Sequence, residues 1–132
     1  MSRVTSHEKK INMTGKKTDI PGLIVLEPKV MEDSRGYFYE SYNREKMRAA
    51  GISMEFVQDN QSKSQHGVIR GLHYQKNPFA QAKLVRVLEG RIYDVALDIR
   101  KGSPTYGKWF GLELNSENKL QLLDFLDLKG DI

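Results

Sequence analysis

The run Gly67-Val68-Ile69-Arg70-Gly71-Leu72-His73-Tyr74-Gln75 places an arginine and a histidine three positions apart in an apolar, β-prone stretch. A polar segment, Gln58-Asp59-Asn60, precedes it, and a lysine, Lys83, follows in another β-prone run. A guanidinium can hold an anion through paired N–H donors. An imidazole titrates near neutrality and can move a proton. A second cation can stabilise negative charge that develops during reaction. Together they point to proton-transfer chemistry on an anionic substrate. Taken alone, His73 reads more readily as a hydrogen-bonded structural histidine than as a proton-transfer group. Lys83 alone would read as a surface lysine, although its place between Ala82 and Leu84 argues against that.

These side chains need elements to position them. β-prone runs recur at Leu23–Glu27, Gly36–Glu40, Met54–Val57, Val68–Tyr74, Lys83–Leu88, Ile92–Ile99 and Lys108–Leu114. Turn signals separate them, among them Pro21-Gly22, Asp33-Ser34-Arg35-Gly36, Glu89-Gly90, Gly102-Ser103-Pro104 and Asn115-Ser116-Glu117-Asn118. One helix is predicted. Asn43 can cap it, Glu45 lies in its first turn, and Gly51 can end it. In Asp94-Val95-Ala96-Leu97-Asp98-Ile99 the odd positions are aliphatic and are expected to face the core. Many short strands and one helix predict an all-β sandwich or barrel.

Five segments, in order, resemble the dTDP-4-dehydrorhamnose 3,5-epimerase family. They are Asp33-Ser34-Arg35-Gly36-Tyr37-Phe38-Tyr39-Glu40, Phe56-Val57-Gln58-Asp59-Asn60, Arg70-Gly71-Leu72-His73-Tyr74-Gln75, Gln81-Ala82-Lys83-Leu84-Val85-Arg86-Val87 and Asp94-Val95-Ala96-Leu97-Asp98-Ile99-Arg100. The resemblance runs from about Ile20 to Leu123 and implies a cupin-like jelly-roll β-sandwich. It implies epimerisation at C3 and C5 of dTDP-4-dehydro-6-deoxy-glucose, in dTDP-L-rhamnose biosynthesis. It makes His73 the base and Lys83 the group that stabilises the oxyanion at O4, with Asp94 as a partner of Lys83. Arg35, Phe38, Glu40, Gln58, Asp59, Asn60 and Arg70 match nucleotide-sugar contacts, with Phe38 placed to stack on thymine. The family is a homodimer whose N-terminal strands cross to the partner. A cupin-type metal site would want a His-x-His pair. His73-Tyr74-Gln75 lacks the second histidine, so no metal and no cofactor is expected.

Family members continue for several more strands past the equivalent of Leu123. The resemblance places the proton-donating tyrosine, the aspartate that orients the histidine and a further histidine there. The expectation is a sandwich with its C-terminal strands missing and an epimerase activity impaired by that loss. The alternatives are a non-catalytic fragment that binds dTDP-sugars or dimerises and, more remotely, a ketoisomerase or single-centre epimerase.

The formal charge of +4 belongs to residues 1–18, which carry Arg3, Lys9, Lys10, Lys16 and Lys17 against Glu8. The remainder sums to zero, so no nucleic-acid surface is implied. The organisation expected is a disordered basic leader over 1–18, a partial domain over 19–123 and a divergent tail over 124–132. There is no cysteine, and no run reaches the ~20 apolar residues of a membrane span. A cytoplasmic protein without membrane partners is expected.

Overall fold

In the computed structural model, residues 13–75 and 82–125 are described, and they form eight strands and one helix. The first twelve residues of the basic leader, Gln81 and the tail from Leu126 lie outside the described residues. Strand β2 (Leu23–Pro28) organises the fold because both of its faces are apolar. Leu23 and Val25 join Ile20, Ala96, Leu114 and Leu122 on one side. Ile24 and Leu26 join Met47, Ile52 and Leu123 on the other.

The four-stranded antiparallel sheet runs β1 (Met13–Lys17), β2, β8 (Gln121–Asp124), β5 (Lys83–Arg86). A hairpin of β6 (Arg91–Leu97) and β7 (Trp109–Asn115) packs on its first face through Ala96 and Leu114. Helix α1 (Arg44–Ala49) packs on the second face through Met47. A small hairpin of β3 (Met31–Asp33) and β4 (Gly36–Phe38) forms its own two-stranded ladder, not paired into this sheet, and is exposed. All-β architecture with one short helix is therefore observed as expected.

The helix is bounded by local chemistry. Asn43 adopts extended geometry and its side chain accepts from Lys46 N–H at 3.1 Å. At the other end, Ile52 N–H donates to Met47 C=O at 2.8 Å and Gly51 N–H to Arg48 C=O at 2.9 Å. This is a Schellman termination, closed by contact between buried Ile52 and Met47. Gly51 has φ +89° and open space where a Cβ would go. Gly51→Ala is therefore expected to cost about 1 kcal/mol through backbone strain alone. A thermal melt should fall by a few degrees, and an unchanged midpoint would contradict this account.

Asp98, just beyond β6, has no exposed surface. It accepts from Arg100 Nε (3.0 Å), Ser103 Oγ (2.6 Å) and Thr105 Oγ1 (2.7 Å), and from Arg100 N–H (3.0 Å). Arg100 also donates to Pro21 C=O, which ties the 98–108 loop to the turn before β2. Burial pushes the Asp98 carboxyl up, but these donors outweigh it and hold the group well below its ordinary value.

Several expectations are corrected. Met13–Lys17, read as leader, is a strand, because pairing with β2 satisfies its backbone while its polar side chains stay in water. Asp124, read as tail, ends β8, and Phe125 N–H donates to Gly22 C=O. Met54–Val57 and Val68–Tyr74 are not strands among the described residues. The first lies on the helix side, with Ile52, Met54 and Phe56 turned to the core and Val57 94% exposed. The second finds no partner strand, and Ile69 is 93% exposed. Across β6 and beyond, the even positions Ala96, Asp98 and Arg100 are buried, whereas Val95 and Ile99 are exposed, the reverse of the expected facing. The neighbour that decides this is the sheet, which covers the Ala96–Leu114 face. On the opposite face the Tyr93 ring lies against Gly111, where a Cβ would clash with it.

Candidate functional site

Alternation on β5 turns Leu84 toward the helix side and Val85 toward the hairpin side. Lys83 shares the face of Val85 and so points between the sheet and the β6–β7 hairpin. Asp94 lies on β6 two positions from buried Ala96, on the face that meets the sheet. The two groups are coupled. Burial raises the Asp94 pKa, and the Val95 N–H and the positive charge of Lys83 only partly offset that rise. Asp124 stands directly across the ladder from Lys83, on the Leu122 face of β8. A cation flanked by two carboxylate positions in a partly dry interior is well placed to meet developing negative charge.

The β3–β4 hairpin presents a second group. Arg35 at its turn donates to Asp33 with Nη2 to Oδ2 of 2.6 Å, and this partner holds the Asp33 carboxyl below its usual range. Phe38 closes β4 with 64% of its surface exposed. Glu40, two residues on, pairs with Lys46 of α1. An open aromatic ring and an exposed cation on one hairpin suit a base and its phosphates.

The third group is on the extended 58–75 segment. Gln58 donates to Asn60 at 3.4 Å, Asp59 is exposed, and Arg70 Nε donates to Ser64 Oγ at 3.0 Å. His73 is exposed on the same segment. Among the described residues, no hydrogen bond or ion pair joins His73 to Lys83 or Asp94. The structure thus brings Lys83 and Asp94 together and leaves His73 and Arg70 outside the packed layers. Among the described residues no three His, Asp or Glu side chains gather as a metal would require.

Sequence reasoning missed Asp124, because its position beside Lys83 depends on a strand that pattern did not reveal. It also missed a cleft of about 170 Å³ behind the β3–β4 hairpin, lined by Tyr37, Tyr39, Ser41, Arg86 and Ser116. The alternation Tyr37-x-Tyr39-x-Ser41 was the available signal.

Comparison with known proteins bears on this arrangement. The family model described as dTDP-4-dehydrorhamnose 3,5-epimerase matches residues 17–123. The enzyme of that name from Shigella flexneri is 58% identical over 107 residues, covering 80% of this chain and 59% of that protein. The one from Pseudomonas aeruginosa is 50% identical over 111 residues, covering 83% and 61%. Among solved structures, the Bacillus anthracis enzyme with TDP and PPi bound aligns with TM-score 0.81 and 47% identity, covering 85% of this chain and 65% of that one. The Legionella pneumophila enzyme in complex with dTDP-4-keto-L-rhamnose aligns with TM-score 0.80 and 48% identity, covering 87% and 61%. The chain thus spans about three-fifths of the length of the relatives it matches. The described strands and single helix form a large part of the cupin-like fold of these enzymes. The chain belongs to the dTDP-4-dehydrorhamnose 3,5-epimerase family.

Proposed function

We propose that this chain serves in epimerisation at C3 and C5 of dTDP-4-dehydro-6-deoxy-D-glucose, giving dTDP-4-dehydro-L-rhamnose for dTDP-L-rhamnose biosynthesis. The observation that carries the reading is the electrostatic coupling of Lys83 and Asp94 between sheet and hairpin. The hydrogens at C3 and C5 flank the C4 ketone, so removing either leaves an enolate with negative charge on O4. In this reading His73 takes the proton, Lys83 stabilises O4, and Asp94 holds the ammonium in place. Protonation of the enolate carbon from the opposite face then completes inversion. Arg35 and Arg70 meet the diphosphate, Phe38 stacks on thymine, and Glu40, Gln58, Asp59 and Asn60 bond the nucleotide-sugar. The ligands named for the Legionella and Bacillus enzymes support this substrate class. The assembly proposed is a homodimer, working in the cytoplasm without cofactor. Among the described residues no helix is long and apolar enough to cross a membrane.

The exposure of His73 favours a limit on the 132-residue polypeptide by itself. A base outside the packed layers lacks the orientation that makes proton abstraction efficient. Slow exchange with little net inversion is expected. The same exposure favours a second reading, a chain that binds dTDP-sugars or dimerises without turnover.

The test is solvent deuterium incorporation into dTDP-4-dehydro-6-deoxy-glucose in D₂O, followed by NMR, beside a calorimetric titration with dTDP. Label at C3 or C5 supports the epimerase reading. Saturable dTDP binding without label selects the second. A cooperatively folded chain that neither labels nor binds overturns both.

A further inference from the structure

The arm that runs from β4 into α1, Gly36 to Ser41, is gripped from one side at alternate residues. Tyr37 lies under Lys119, whose Nζ is 4.1 Å from the ring centroid. Tyr39 Oη is 3.5 Å from Arg86 Nη1. The carbonyl of Ser41 accepts from Gln121 Nε2 at 2.9 Å. Phe38 and Glu40 are the residues between them. Arg86 and Gln121 are direct cross-strand neighbours on β5 and β8, so two of the three grips come from one rigid spot in the sheet.

The third grip is built into the β7–β8 turn. Lys119 has φ +54°, and among the described residues it is the sole non-glycine with positive φ. A lysine seldom adopts this conformation, and here the surroundings enforce it. Asn118 Oδ1 accepts from Asn115 N–H at 3.2 Å and Leu120 N–H at 3.0 Å, and Asn118 Nδ2 donates to Glu113 C=O at 3.0 Å. The Lys119 ammonium donates to Ser116 C=O at 2.8 Å while it caps the Tyr37 ring. A cation with carbonyls on one side and an aromatic face on the other fixes the distance between the turn and the hairpin.

We propose that Lys119, Arg86 and Gln121 are positioning residues that brace the Gly36–Ser41 arm from behind, so that Phe38 is held out to the nucleotide, with Glu40 set beside it in its pair with Lys46. The proposal rests on the reading of Phe38 and Glu40 as nucleotide contacts. The brace adds nothing to the chemistry at the sugar. It raises the fraction of molecules whose arm is ready to bind.

The test uses the whole chain. Lys119→Met keeps the side-chain length without charge, and Lys119→Arg keeps a cation over the ring. Tyr37→Leu removes the aromatic face, and Tyr37→Phe keeps it. Amide exchange across 36–38 should quicken about fivefold in Lys119→Met and Tyr37→Leu, with Lys119→Arg and Tyr37→Phe near the parent. Affinity for dTDP should fall by about the same factor in the first pair, while deuterium labelling at saturating sugar nucleotide is unchanged. A merely structural role would instead slow labelling and lower the melting midpoint together. Unchanged exchange in the arm overturns the brace. So does quickened exchange with parental dTDP affinity. A parent chain that binds no dTDP overturns the reading of Phe38 and Glu40 as nucleotide contacts and with it the nucleotide role of the brace. That result is distinct from a parent that binds and a Lys119→Met variant that binds equally well.

Discussion

Asp98→Ala is expected to remove cooperative folding or to lower the melting midpoint by about 15 °C. The side chain is fully buried and collects five hydrogen bonds from Arg100, Ser103 and Thr105. Its loss leaves the Arg100 guanidinium, itself only 8% exposed, without a counter-charge. Breaking one side of a buried pair costs about 3–5 kcal/mol, against about 5–15 kcal/mol for the stability of a whole domain. The same carboxylate sets an acid limit. Because its folded pKa lies below the ordinary 3.8, its stabilisation is fully present above that value. It is lost as pH falls from there toward the folded pKa. Urea melts from pH 7 down to pH 2 should show that loss setting in below about pH 4 in the parent chain, and a flatter acid limb in Asp98→Asn. Parallel curves would refute the assignment. Asp94 runs the other way. Its raised pKa gives a favourable contribution at low pH that fades as pH rises through the folded value.

Lys83→Gln is the substitution expected to cost most at the sugar. Glutamine keeps a hydrogen-bond donor of similar reach but removes the positive charge that, in the proposed mechanism, meets O4. Labelling at C3 and C5 should fall by about 10²-fold or to the buffer level, the usual scale for removing a donor aimed at developing charge. Binding of dTDP itself should change little, because the role proposed for Lys83 is at the sugar and not at the nucleotide. The ammonium also lies across from Asp124 and acts on Asp94, so some stability is lost with it. Thermal melts at the assay temperature establish that the variant is folded. Labelling at the parental rate in folded Lys83→Gln would remove Lys83 from the mechanism.

What the sequence disclosed follows from how local each signal is. Asn43 and Gly51 bounded the helix because caps act over three or four residues. Lys83 and Asp94 were identified through their motifs, and alternation on adjoining strands brings them to one interior. β8 escaped because Gln121-Leu122-Leu123 is buried on both faces, and periodicity cannot separate a doubly buried strand from other buried segments. Asp124 was lost with it, since a cross-strand neighbour is invisible until the strand is placed. β1 escaped because a polar strand on an open edge looks like a solvated tail. Val68–Tyr74 shows the opposite error. Its β propensity is real, but propensity needs a partner ladder before it becomes structure. The inverted facing of β6 came from Val95 and Ala96, either of which can face a core, with Gly111 and Tyr93 settling the other side.

The placement of β8 has a consequence for biosynthesis. β8 sits in the middle of the sheet, yet in sequence it is the last of the described strands, and it joins β2 to β5. Pairing Leu23 with Asp124 closes a loop of about a hundred residues, a slow and entropically costly step. At about 5–20 residues per second, β2 waits on the order of ten seconds before its neighbour exists. During that interval Leu23, Ile24, Val25 and Leu26 lack the strand that flanks them on the side away from β1. The nascent chain should therefore be a client of holding chaperones, and its yield in the cell should depend on their supply more than on the stability of the finished fold.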